Sequence, residues 1–169
     1  MGISSAGVNV GAPTEAQAEL GDAELGAWRG LVRVHATLAR ELDAELDACH
    51  GLPLSSYEVL RSLSKMPAGR MRMAELAEHV LLSRSGMTRL IDRLEREGMV
   101  SRSTCDKDGR GCYAVLTDHG REVVEQARAT HIEVVRAGFL RHFSEAEMRQ
   151  LATLFERVLP GPGSSAPLQ

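Results

Sequence analysis

Residues 71–117 read MRMAELAEHV LLSRSGMTRLIDRLEREGMV SRSTCDKDGRGCYAVLT, and the reading of this stretch decides the fold. Its opening patterns as a short amphipathic helix, Met73 to Val80, with Leu76 and Val80 inward. A turn at Leu81 to Ser83 leads into a longer helix. There Met87, Leu90, Ile91 and Leu94 recur at the 3.6-residue spacing that lines one face and packs it onto the preceding helix. Ser83 stands where an N-cap accepts a free backbone N–H, and Gly98 where a helix stops. Val100 to Thr104 and Cys112 to Leu116 are β-prone runs around a charged tip, Lys107-Asp108-Gly109, that carries turn chemistry. A helix-turn-helix followed by a β-hairpin wing accounts for the whole stretch.

The polar face of the second helix carries Ser85, Thr88, Arg89, Asp92 and Arg96, where a purely structural surface helix more often mixes Glu and Lys. Its amino end presents Arg84, Ser85, Thr88 and Arg89, the end that enters the major groove in a helix-turn-helix. Arginine can contact guanine bidentately, and Ser and Thr reach either bases or phosphates; the competing reading is a solvated, capped helix start. Arg93, Arg96, Arg102 and Lys107 are weaker phosphate candidates. Ser55 and Ser56, at a positive helix end, are further ones, although capping alone explains Ser55. Arg110, near the wing tip, is placed to enter a minor groove, where the negative potential favours a guanidinium. Asp108 would hold it by a charge-assisted bond. The alternative is that this pair merely ties the hairpin, worth about 0 to 1 kcal/mol if exposed.

These residues carry a resemblance. The run from Ala74 to Thr117 resembles the winged-helix core of the MarR family of bacterial transcription regulators. Asp108-Gly109-Arg110, five residues and then Leu116-Thr117 fit the family's wing signature of Asp-x-Arg, five residues, Leu-Thr. The segment LSRSGMTRLIDRLEREGMV is similar to its recognition helix, and the likeness extends more loosely over about residues 22 to 159. It implies a dimeric DNA-binding protein with effectors often held between the dimerisation helices and the DNA-binding lobe. Trp28, His35 and Tyr57 are candidates to line such a pocket, the alternative being ordinary core or interface aromatics. A urate-responsive branch places an acid on the second helix and arginines in the recognition helix and wing. Glu58, Arg89 and Arg102 stand at similar positions, but Glu replaces the usual Asp and no N-terminal tryptophan matches. The peroxide-sensing branch uses a cysteine near the start of the first long helix, whereas Cys49 lies at the far end of that helix.

At 169 residues with 43% hydrophobic and only 4% aromatic residues, the chain has material for one core built from Leu, Val, Ala and Met, which suits helix packing. No run approaches the roughly 20 apolar residues of a membrane span, and the start lacks the order of a secretory signal, so a cytoplasmic protein with no membrane partner is expected. The net charge of −3 is unevenly divided: residues 61–110 hold 11 Lys or Arg against 7 Asp or Glu, leaving 9 basic and 16 acidic residues elsewhere. A basic middle on an acidic frame presents one face to DNA and repels it elsewhere. Cys49, Cys105 and Cys112 cannot all pair and none has zinc spacing, and the six histidines show no ligand spacing, so no metal or cofactor is expected. Cys105 and Cys112 flank the wing tip, which keeps a redox-responsive pair open beside reduced thiols.

Taken in order, residues 1–13 read as a flexible tail, 14–52 as an N-terminal helical dimerisation segment, 53–117 as the winged DNA-binding region, 118–159 as C-terminal dimerisation helices and 160–169 as a second tail. Thr14 with Gln17 can box a short helix before Gly21. Leu25, Trp28, Leu31, Val32, Leu38, Leu42 and Leu46 mark a long helix from about Asp22 to His50. Ser55 with Glu58 is a second capping box, opening a helix to about Lys65, and Arg70-Met71 can add a strand to the wing sheet. Thr117 caps a helix running to about His142, and Ser144 with Glu147 boxes the last, to about Leu159.

The expected fold is mainly α with a small β wing, a winged helix-turn-helix flanked by N- and C-terminal dimerisation helices. The terminal helices carry more apolar face than the middle can cover, and a two-fold dimer would bury it. The leading functional expectation is a homodimeric, sequence-specific repressor of its own or a neighbouring promoter, reading a palindromic double-stranded operator and relieved by a small-molecule effector. A winged-helix protein-interaction module is the alternative. An enzyme is not expected, since no nucleophile, base and orienting group fall in a recognisable arrangement.

Overall fold

The structure is a computed structural model, and it describes residues 19–80, 82–104 and 112–158. Helix α1 (Asp22–His50) is followed by α2 (Leu54–Ser64), strand β1 (Arg70–Arg72), α3 (Met73–His79), α4 (Arg84–Arg96), β2 (Val100–Thr104), β3 (Cys112–Leu116), α5 (Asp118–Gly138), a short 3-10 turn (Leu140–His142) and α6 (Glu145–Val158). The expected mainly helical architecture with a small β wing is the one observed. The chain divides into two units, one ending at Thr37 and one beginning at Leu38, with α1 running from the first into the second. Among the described residues, no helix is long and apolar enough to cross a membrane.

The core lies in the second unit. Helix α4 contributes Met87, Leu90, Ile91 and Leu94, the four residues whose spacing marked it as amphipathic, to a single core that also holds Leu76 and Ala77 of α3, Leu60 and Leu63 of α2, and Val124 and Ala127 of α5. Burial of such side chains contributes about 1.5 to 3 kcal/mol each. The sheet has the order β1-β3-β2, both pairs antiparallel, with Met71 opposite Ala114 and Arg102 opposite Ala114 from the other side. The three-residue β1 is the strand expected from Arg70-Met71. Period-2 alternation buries Met71 and exposes both arginines.

Helix ends follow local chemistry. The Ser83 hydroxyl accepts from Gly86 N at 3.1 Å and starts α4; Gly98, at φ +72, occupies the left-handed region that stops it. Thr117 accepts from Gly120 N at 3.0 Å and donates to Gly98 O at 2.7 Å, so one residue caps α5 and ties it to the end of α4. The Ser144–Glu147 box forms as expected, with Ser144 N donating to Glu147 at 2.8 Å. Two boundaries differ from expectation. Pro53, not Ser55, is the N-cap of α2, and the first-turn N–H of Leu54 donates to Asp43 on α1 at 2.8 Å, so a neighbouring helix replaces the Ser55–Glu58 box. Helix α5 ends at Gly138 rather than His142. Phe139 leaves helical geometry at φ −133, ψ −63 and packs edge-on against Phe143 with ring centroids 5.1 Å apart. The Thr14–Gln17 helix and both expected tails fall outside the described residues.

Candidate nucleic-acid interface

On α4 and the adjoining β2 lie two chemically different sets of arginines. Arg84 and Arg89, with Arg96 further along, lie exposed, and among the described residues no carboxylate pairs with them. Ser85 shares a hydroxyl contact with Ser83 at 3.3 Å, and Thr88 donates to Arg84 O at 3.0 Å, which leaves the oxygen of Thr88 free to accept. The helix start therefore presents two open guanidiniums around two ordered hydroxyls.

The second set is occupied. Arg93 donates through Nη2 to the hydroxyl of Ser56, which is only 1% exposed, tying α4 to the first turn of α2. This corrects the expectation for Ser56, whose burial keeps it from a phosphate, and it gives Arg93 a partner within the fold. Ser55 stays half-buried and caps nothing. Arg102, on β2, donates to Asp92 at 2.5 Å, to Glu95 at 2.9 Å and to Thr88 O at 3.4 Å. The hydrogen bond to Asp92 is the main influence holding its guanidinium further toward the charged form, against the opposing effect of burial. Lys107, Asp108, Arg110 and Cys105 lie outside the described residues, and with them the wing-tip pair and the cysteine pair; Cys112 is a half-buried free thiol.

Two residues of this surface escape a reading based on the helix-turn-helix alone. Arg70 and Arg72 both lie against the ring of Tyr113, at 5.3 and 5.5 Å from its centroid, and Arg72 Nε donates to the phenol oxygen at 3.1 Å. The Arg-Met-Arg alternation was the available signal: on a strand it places both cations on one face. Arg72 also lines a recess of about 350 Å³ with Met73, Arg84, Met87, Thr88 and Cys112, which joins the β1 edge to the amino end of α4.

A separate cavity of about 430 Å³ lies between α2 and α5, lined by Tyr57, Arg61, Lys65, Glu125, Arg128 and His131 among others. Tyr57 and His131 stack with centroids 4.8 Å apart. Burial, and then the charges of Arg61 and Lys65, pull His131 below its usual pKa, while burial raises that of Tyr57. Arg61 Nε is buried without a hydrogen-bond partner among the described residues. Trp28 and His35, the other two candidates for a ligand pocket, are exposed on the part of α1 that precedes Leu38.

A helix-turn-helix with a strand-built wing and an open cationic helix start defines a winged helix-turn-helix protein. The MarR family model matches residues 52–112. The HTH-type transcriptional repressor Rv2887 of Mycobacterium tuberculosis is 32% identical over 137 residues, covering 81% of this chain and 94% of that protein. Among solved structures, AbsC, a MarR family transcriptional regulator from Streptomyces coelicolor, superposes with a TM-score of 0.77 at 33% identity over 83% of this chain and 94% of its own. Sco3205 from the same organism, a MarR family transcriptional regulator solved in complex with DNA, gives 0.78 at 31% over 87% and 92%. The chain belongs to the MarR family of transcriptional regulators.

Proposed function

We propose that the chain acts as a cytoplasmic homodimer that binds a palindromic DNA operator and represses its own or a neighbouring promoter. The observation that carries this reading is the contrast among the arginines of α4 and the adjoining β2: Arg84 and Arg89 stand open at the groove-entering end while Arg93 and Arg102 are engaged within the fold. In this reading Arg84, Ser85, Thr88 and Arg89 contact bases and backbone in the major groove, Arg110 enters the minor groove with Asp108 beside it, and Lys107 and Arg96 meet phosphates. Arg70 and Arg72 join them as backbone contacts at the wing's edge. Similarity to Sco3205, which was solved with DNA, supports the assignment. Trp28, Leu31 and Val32 on α1 and Leu154, Phe155 and Val158 on α6, between 42% and 75% exposed, support a dimer that covers them.

The test is a fluorescence anisotropy titration with the chain's own upstream DNA. Arg84→Ala, Arg89→Ala and Arg110→Ala are each expected to weaken binding by about 1 to 3 kcal/mol where the contact is to a base. Wild-type affinity in all three, or binding indifferent to salt and sequence, favours a protein-interaction module instead. The cavity beside Tyr57 favours a second element of the reading, relief of repression by a small molecule. Such a ligand acts only if it distinguishes the DNA-competent spacing of the two recognition helices from other spacings.

A further inference from the structure

Thr88, Asp92 and Glu95 stand four and then three residues apart on α4, which places them in a row along one face of the helix. All three turn to a single residue of the neighbouring strand. Arg102 reaches Asp92 Oδ1 at 2.5 Å and Glu95 Oε2 at 2.9 Å, with the Thr88 carbonyl at 3.4 Å. The backbone N–H of Arg102 also donates to Glu95 Oε1 at 3.2 Å, so one carboxylate grips both the main chain and the side chain of the same residue. In the order β1-β3-β2, β2 is an edge strand, and this N–H points away from its partner. The recognition helix thereby closes an edge that would otherwise present unpaired groups.

Resting on the DNA-binding reading above, we propose that Arg102 is a positioning residue: clamped by Asp92 and Glu95, it sets the angle between the recognition helix and the wing and makes no phosphate contact itself. Two arguments carry this. One guanidinium against two carboxylates gives the cluster a net charge of −1, and because Asp92 and Glu95 are 48% and 39% exposed, that charge faces an approaching phosphate and repels it. The wing is also a lever. The four rises from Val100 to Thr104 span about 13 Å, and a tilt of about 10° at Val100 displaces Thr104 by about 2 Å, enough to break a hydrogen bond of about 3 Å. The root of β2 is held by burial of Val100, its pairing with Leu116 and the Met99 N–H bond to Leu94 O, and the clamp adds a direct tie to α4 two residues further out.

A direct phosphate contact and a clamp give opposite results in three comparisons, all made with the full-length protein on the palindromic duplex that the wild type selects from its own upstream DNA. Arg102→Ala is expected to weaken operator binding about tenfold while leaving the slope of log affinity against log salt unchanged. Arg102→Lys, which keeps the charge but cannot span both carboxylates and the carbonyl, is expected to fall close to Arg102→Ala. The double variant Asp92→Asn with Glu95→Gln raises the net charge by two, yet is expected to weaken operator binding without weakening binding to a scrambled duplex. In a hydroxyl-radical footprint, each variant should lose the outer protection due to the wing and keep the protection due to the recognition helix. The proposal is overturned if Arg102→Ala lowers the salt slope by about one, if Arg102→Lys behaves as wild type, or if the double variant binds operator more tightly. The double variant approaches the clamp from its other side, so the question stands even where Arg102→Ala fails to fold. A wild-type protein that selects no duplex sinks the DNA-binding reading itself, and this inference with it, before any variant is compared.

Discussion

Gly120 shows how a single residue can couple the wing to the body of the protein. A Cβ at this position would lie 2.1 Å from Met99 O and 2.9 Å from Leu116 Cδ1, the first of these a backbone atom that cannot rotate away. The contact forces α5 to start directly against the junction of α4 and β2. Gly120→Ala is therefore expected to destabilise the fold by about 1 to 3 kcal/mol through overpacking, read as a fall in the urea midpoint at unchanged m-value. A midpoint equal to wild type would mean that this junction yields easily. Nothing in the residue pattern marked Gly120, because the close approach depends on where Met99 arrives in space. The apolar face of α4 was legible for the opposite reason: Met87, Leu90, Ile91 and Leu94 are four successive reports of one periodicity. Arginines were the least legible. Position along the chain ranks Arg84 and Arg89 above Arg93 and Arg102 for DNA, but all four read as exposed cations, and only the tertiary position of Ser56, Asp92 and Glu95 separates open side chains from engaged ones.

Elements could be read where their ends are determined locally, as at Ser83, Thr117 and Ser144, whose capping bonds lie within three residues of the hydroxyl. They were misread where a distant partner decides. Ser55 and Glu58 have the spacing of a capping box, but Asp43 of α1 supplies an acceptor to the first turn of α2 across 11 residues of chain. The end of α5 was misplaced because helical apolar spacing continues past Gly138, whereas the Phe139–Phe143 contact turns the chain. Thr117 is the element-scale residue most open to test. Its hydroxyl both accepts from the first turn of α5 and donates to Gly98 O at the end of α4, so Thr117→Ala removes two bonds. A loss of about 1 to 2 kcal/mol is expected in chemical denaturation. Thr117→Ser, which keeps the oxygen, should recover most of it. Equal losses in the two variants would show that the methyl group, not the cap, carries the effect.

At the scale of the molecule, α2 and α5 meet around a stacked Tyr57–His131 pair flanked by Arg61, Lys65 and Arg128. Burial, and then the charges of Arg61 and Lys65, favour the neutral imidazole of His131 in the folded state, so the unfolded chain binds the proton more readily. The stability attached to this group is complete above the unfolded pKa of about 6.5 and is lost as pH falls from there toward the lowered folded value. His131→Phe keeps the stacking surface and removes the titration. Between about pH 7.5 and pH 5.5 the wild-type melting temperature should fall further than that of the variant. Equal falls would place the acid sensitivity elsewhere.

Trp28 on α1 and Phe155 on α6 are exposed large apolar side chains that the proposed dimer would cover. The most direct measurement of the central claim compares duplexes carrying one half-site or two, with centres about 34 to 36 Å apart, and counts chains per duplex by sedimentation. Two chains are expected on the paired half-sites, with much weaker binding to the single one and a steep decline of both with salt. One chain per duplex with equal affinity for the two would contradict that claim.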